Sequence, residues 1–240
     1  MFFNNKIKFY CKLPEVRENY PITKSNNQKY SWFKKSALNF KKTATEIGKY
    51  QQVTGVSRCP GVRSIMNKGY ILRSWFDLTV KPIANGQGIE YYVPEGVYSY
   101  LKERNFNEKV ITCFTPENPA HMIPLNKNQL QALIKITTSW SVVLPKNKDL
   151  LIMPVPYSDN TDFTPVHGVL NGGDLYEINA IIKINHIDKE FTIPAGTPLL
   201  QLIPIDSYEH SFEINDFDET ISNVAKKNKF ESNNTFIVKK

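Results

Sequence analysis

Cysteine is scarce in this chain, and Cys11, Cys59 and Cys113 stand far apart without CxxC or CxH neighbours. An odd, scattered set of thiols supplies neither a disulfide framework nor a zinc site. His121, His167, His186 and His210 are as dispersed, so no metal site and no cofactor are expected. Long apolar runs are missing too, since a membrane-crossing helix needs about 20 such residues. Residues 1–6 lack the basic and apolar regions of a signal peptide, which predicts cytoplasmic synthesis without export and no membrane partner. No Gly/Ser/Pro-rich stretch divides the 240 residues and no repeat stands out, so one β-rich domain over 1–240 is the simplest organisation.

What the chain does have is β-strand periodicity, densest over residues 134–205. Successive strand side chains point to opposite faces, whereas a helix repeats every 3.6 residues. Ile134, Ile136, Thr138, Trp140 and Val142 share one face, and Lys135, Thr137, Ser139 and Ser141 the other, the pattern of a half-buried strand. A turn over 145–148 leads to an apolar strand over 149–156 that ends in prolines. Residues 176–185 alternate again, with Ile178, Ala180, Ile182 and Ile184 together. A tight turn at Pro194-Ala-Gly196 then precedes Leu199, Leu200, Leu202 and Ile203. The predicted fold is mainly β, an antiparallel β-sandwich, clip or jelly-roll-like arrangement with a wet and a dry side and short peripheral helices.

Upstream, Ile7, Phe9 and Cys11 mark a first strand whose partner lies far away in sequence. Ser31 is placed as the N-cap of a helix over 31–42 with Phe33, Ala37 and Phe40 as its apolar stripe. A short helical turn is expected after the Arg58-Cys-Pro-Gly61 turn, with Val62, Ile65 and Met66 apolar. Residues 70–80 read as one strong strand, 89–93 and 110–114 as shorter ones, and 96–106 as a helical turn or loop. Asp216 and Glu219 fit a capping box for a terminal helix over 216–229, and 231–240 reads as a tail or an edge strand.

The net charge is +7, from 30 Lys plus Arg against 23 Asp plus Glu. The excess falls early, at Lys29, Lys34, Lys35, Lys41, Lys42 and Lys49, while 209–219 is acidic. A basic half can meet nucleic-acid phosphates through counterion release. Lysines on a solvated helix face explain the same pattern more simply, so nucleic-acid binding is not favoured.

The loop over 166–177 places small and polar residues between two strands. Gly168-Val-Leu-Asn171, then Tyr176, then an alternating strand and Ala195-Gly-Thr-Pro-Leu-Leu-Gln-Leu202 together resemble the core motifs of the dUTPase and dCTP deaminase superfamily, over the last third of the chain. The resemblance implies a β-clip and a candidate ligand site at His167, Asn171, Asp174, Tyr176 and Gln201. In that superfamily an aspartate activates the attacking water, which requires a basic carboxylate. Asn171 stands at that position, and an amide cannot take the proton. Pro194-Ala-Gly196 also matches the turn of the cupin jelly roll, yet His167 has no histidine two residues on, so metal-dependent cupin chemistry is not expected.

Tyr20-Pro-Ile22, Trp32-Phe33, Arg58-Cys-Pro-Gly61, Lys68-Gly-Tyr-Ile71 and Trp75-Phe-Asp77 are similar to a family of uncharacterised proteins of marine bacteriophages with AT-rich genomes. That similarity implies a viral origin and a place in the host cytoplasm or the virion. Arg73, Trp75 and Asp77 would share one strand face, as a ligand-binding trio or as an ion pair with a tryptophan covering an edge. Cys59, with no histidine partner in sight, reads as a small buried filler. The expectation is a non-enzymatic phage protein that acts through protein contacts, by self-association or with another phage or host protein. The alternatives are a divergent dUTPase-like or cupin-like enzyme and a nucleotide-binding regulator without turnover.

Overall fold

Alternation over 133–143 and 175–184 produces the longest strand pair among the described residues. The structure, a computed structural model, describes residues 6–47, 55–115, 117 and 123–208. The expected terminal helix over 216–229, the tail over 231–240, the acidic run over 209–219, and His121 and His210 lie outside the described residues.

The described residues form three antiparallel sheets. In the first, β7 (Leu133–Val143) pairs along one edge with β11 (Leu175–Ile184), which in turn pairs with β9 (Phe163–Pro165). The other edge of β7 is shared by β1 (Lys8–Cys11) and β6 (Ile111–Phe114). The second sheet runs β10 (Gly168–Leu170), β8 (Lys148–Met153), β13 (Pro198–Asp206), β3 (Tyr70–Arg73), β2 (Thr23–Lys24). The third joins β12 (Phe191–Ile193), β4 (Leu78–Ile83) and β5 (Gly88–Tyr92). Four helices are described: α1 (Pro14–Asn19), α2 (Ser31–Ile47), α3 (Pro60–Asn67) and α4 (Glu95–Glu103). The mainly β, antiparallel architecture with short helices is therefore the one the alternation predicts.

Residues of all three sheets, among them Leu72, Val80, Ile134, Ile136, Val142, Leu150, Ile182 and Leu200, meet in one apolar cluster. Full burial of a Leu, Ile or Val side chain contributes about 1.5–3 kcal/mol, so this cluster is the main source of stability. Ile178, Ala180, Ile182 and Ile184 are buried together, as their spacing predicts. The first strand also finds a distant partner, with Phe9 opposite Val142 and Cys11 opposite Trp140. The turn at 194–197 forms around Gly196, whose φ of 85° suits glycine, with Thr197 N donating to Pro194 O at 3.0 Å.

Four local expectations are corrected. β7 is not half-buried, because Thr137, Ser139 and Ser141 are buried as well as their apolar neighbours. It is a central strand, and Ser141 lies between Tyr10 of β1 and Glu177 of β11. Residues 70–80 do not form one strand, because the chain leaves the second sheet after Arg73 and enters the third at Leu78. Ser31 lies inside α2 rather than capping it: Lys34 N donates to Tyr30 O, and the Ser31 hydroxyl donates to Asp159. The helix runs on to Ile47, with Ala37 exposed and Trp32, Phe33 and Ser36 half-buried. Cys59 is exposed, at the N-cap position of α3.

Candidate functional site

The sequence-derived site residues fall into three places. Asn171 and Asp174 are exposed on the connection from β10 to β11, and His167 is exposed between β9 and β10. Tyr176 is half-buried on the inner face of β11, packed against the core, and its hydroxyl lies 3.5 Å from Asp174 Oδ2. Loss of hydration and the Asp174 carboxylate hold the Tyr176 phenol above its ordinary pKa. The loop is strapped down from below. Gly172 N donates to Asp149 Oδ1 at 2.8 Å and Gly173 N to Leu144 O at 3.1 Å. A Cβ on Gly172 would come within 2.4 Å of Pro145 O and 2.6 Å of Lys148 O, so only glycine fits there. Of the clefts of about 590, 240 and 190 Å³, none is lined by residues 166–177.

Gln201 is far from open. It is fully buried on β13, and its Nε2 donates to the carbonyls of Ile65 (2.7 Å) and Lys68 (2.6 Å) at the end of α3. It thus joins α3 to the second sheet and does not meet Asn171. Arg73, Trp75 and Asp77 do not share a face either, because the break after Arg73 separates them. Trp75 is buried and its indole N–H donates to Thr137 O at 3.0 Å. Arg73 donates to Gly196 O (3.0 Å) and Gln28 Oε1 (2.7 Å), and Asp77 accepts from Ala195 N at 2.6 Å. Arg73 and Asp77 both hold the 194–197 turn.

Two surface features have no counterpart in the motif reading. The first is an apolar patch on the outer face of the first sheet. In cross-strand rows, Tyr10 and Glu177 flank Ser141, while Lys8 and Leu175 flank Val143, which places all six on one face. Tyr10 is 51% and Leu175 65% exposed. Beside them Lys12 forms ion pairs with Glu108 and Glu177, which raise its pKa through their hydrogen bonds.

The second feature is the cleft of about 590 Å³ between the chain before α2, the first turn of α2, and α3. Lys29, Lys34 and Arg63 line it with Tyr30 and Phe33, and Asp159 is the one carboxylate among its described lining residues. Ser31 Oγ donates to Asp159 at 2.6 Å. Behind the wall, Gln28 carries the guanidinium of Arg73, whose pKa is lowered by burial. Among the described residues no carboxylate pairs with Arg73. The lining comes from three separate segments, so no motif announces it. The one available signal is the interleaving of cations and aromatics, Lys29-Tyr30 and Phe33-Lys34.

Among the described residues no group of three or more His, Cys, Asp or Glu side chains could hold a metal ion. No helix of the described structure is long and apolar enough to cross a membrane.

No family model matches the chain, and no curated protein matches it in sequence. Among solved structures, it is similar to a dUTPase variant from phage phi11 of S. aureus at a TM-score of 0.30 and 15% identity, covering 45% of this chain and 79% of that one. That structure concerns the coordination of a structural Mg(II) ion. Two dUTPase variants of Staphylococcus bacteriophage 80alpha with dUpNHpp give TM-scores of 0.29 and 0.28 at 15% identity. They cover 45% and 47% of this chain and 82% and 91% of theirs. Likenesses of this extent leave function to be argued from the chain's own geometry.

Proposed function

We propose that the chain is a non-enzymatic bacteriophage protein, made in the host cytoplasm, that works through protein contacts and first of all by self-association. The observation that carries this reading is the patch around Tyr10, Val143 and Leu175. Exposed apolar side chains rimmed by charge are the anatomy of a contact surface. Its rim bears both signs, Lys8 and Lys12 against Glu108 and Glu177, so it is self-complementary. A two-fold axis through such a patch brings lysines of one copy to glutamates of the other. The loop over 166–177 fits the same role, since it is braced by backbone hydrogen bonds and carries Asn171, which cannot serve as a base.

The test is the mass of the purified full chain in solution by light scattering after gel filtration. A mass above the 27.6 kDa of one chain is expected. Leu175→Glu or Tyr10→Glu should return it to one chain without loss of thermal stability, because both side chains are largely exposed. A single-chain mass at all concentrations would overturn self-association. Nucleoside triphosphate turnover that disappears in Asp174→Asn would overturn the non-enzymatic reading.

A further inference from the structure

We infer that the cleft between α2 and α3 is a binding site for a small phosphorylated ligand with a flat ring, of the nucleoside phosphate class. Its size, about 590 Å³, falls in the range of small-molecule sites. Lys29 and Lys34 are exposed along its wall without a carboxylate partner among the described residues, and Arg63 adds a third cation. Arg73, with no carboxylate partner among the described residues, contributes a further positive charge from behind Gln28. Concave walls of low dielectric focus such charges on whatever enters. The N-terminal turn of a 17-residue helix points the same way, since its free N–H groups and dipole favour anions. An anionic group already sits there, because Asp159 takes the Ser31 hydroxyl. Tyr30 and Phe33 supply aromatic surface for a planar ring.

The arrangement predicts opposite signs for two substitutions. Lys34→Glu puts a negative charge on the wall and weakens binding. Asp159→Asn removes the carboxylate that repels an incoming phosphate and strengthens it, while keeping an acceptor for Ser31.

The experiment is calorimetric titration of the full chain with nucleoside mono- and diphosphates, with inorganic phosphate and unphosphorylated nucleosides as controls. Saturable binding of at least one nucleoside phosphate is expected, weaker by about tenfold in Lys34→Glu and tighter in Asp159→Asn. Inorganic phosphate should bind more weakly than the nucleoside phosphate, and the nucleoside should not bind. The inference is overturned if no nucleoside phosphate saturates the chain, if Lys34→Glu binds as well as the parent, or if inorganic phosphate alone matches the nucleoside phosphate. The self-association test does not touch this cleft, so the two proposals fail independently.

Discussion

Gln201 shows how a site-like residue in a familiar run becomes part of the frame. It donates hydrogen bonds to the carbonyls of Ile65 and Lys68, while its own Oε1 is buried without a partner among the described residues. Gln201→Leu removes both bonds, leaving the Ile65 carbonyl only its longer bond from Lys68 N, and is expected to cost about 2 kcal/mol in urea unfolding. Gln201→Glu should cost more, because it turns a carboxylate toward the same oxygens. Asp162 offers a pH handle. Lys189 Nζ at 2.6 Å and His186 Nε2 at 2.9 Å hold its carboxyl below the usual range, with Lys189 the stronger influence. A carboxyl depressed in the folded state stabilises the fold above its unfolded pKa and loses that contribution as pH falls through the folded value. Lys189→Met is therefore expected to lower stability by about 0.5 kcal/mol at neutral pH. The difference between parent and variant should vanish in acid, once Asp162 is protonated, which denaturant titrations across pH will show.

β7 contains a built-in irregularity. Its pairing with β11 jumps from Trp140 opposite Ile178 to Thr137 opposite Asn179, leaving Thr138 and Ser139 bulged. The same point is where its other edge changes partner: Lys12 N donates to Ser139 O, and Thr137 N to Val110 O. Ser139 has a φ of 62°, and its buried hydroxyl has no partner among the described residues. Ser139→Gly removes both penalties and should raise stability by about 1 kcal/mol, measured by thermal and urea unfolding. Two extra residues preserve the alternation, so β7 was legible through its bulge, and so were β11 and β13. The break between β3 and β4 was not. Residues 74–77 contain no glycine or proline to punctuate the apolar pattern. The chain bends there because of distant groups: Ser74 N donates to Thr197 O, Gly196 N to Ser74 O, and Trp75 to Thr137 O. Partners that lie some 60 to 120 residues away leave no local trace.

For the whole molecule, what was readable followed the range of the interactions. Sheets came from period-two patterns within ten residues. The cleft came from three segments around 30, 65 and 159, and its lysines read as an ordinary solvated face. Ionic strength separates the two proposed surfaces. Phosphate binding at the cleft should weaken steeply with salt, whereas association through Tyr10 and Leu175 should weaken little, which parallel titrations at two salt concentrations will check. The pairing of β1 also fixes a timetable. Residues 8–11 close onto 140–143, so during synthesis the first strand waits for a partner about 130 residues away, which a ribosome adding about 5–20 residues per second supplies after on the order of ten seconds. Until then Phe9 and Tyr10 travel beside a nascent chain whose central strand does not yet exist. Chains stalled before residue 140 should remain open to protease along their whole length, and a chaperone that shields the first strand should raise the yield of folded protein.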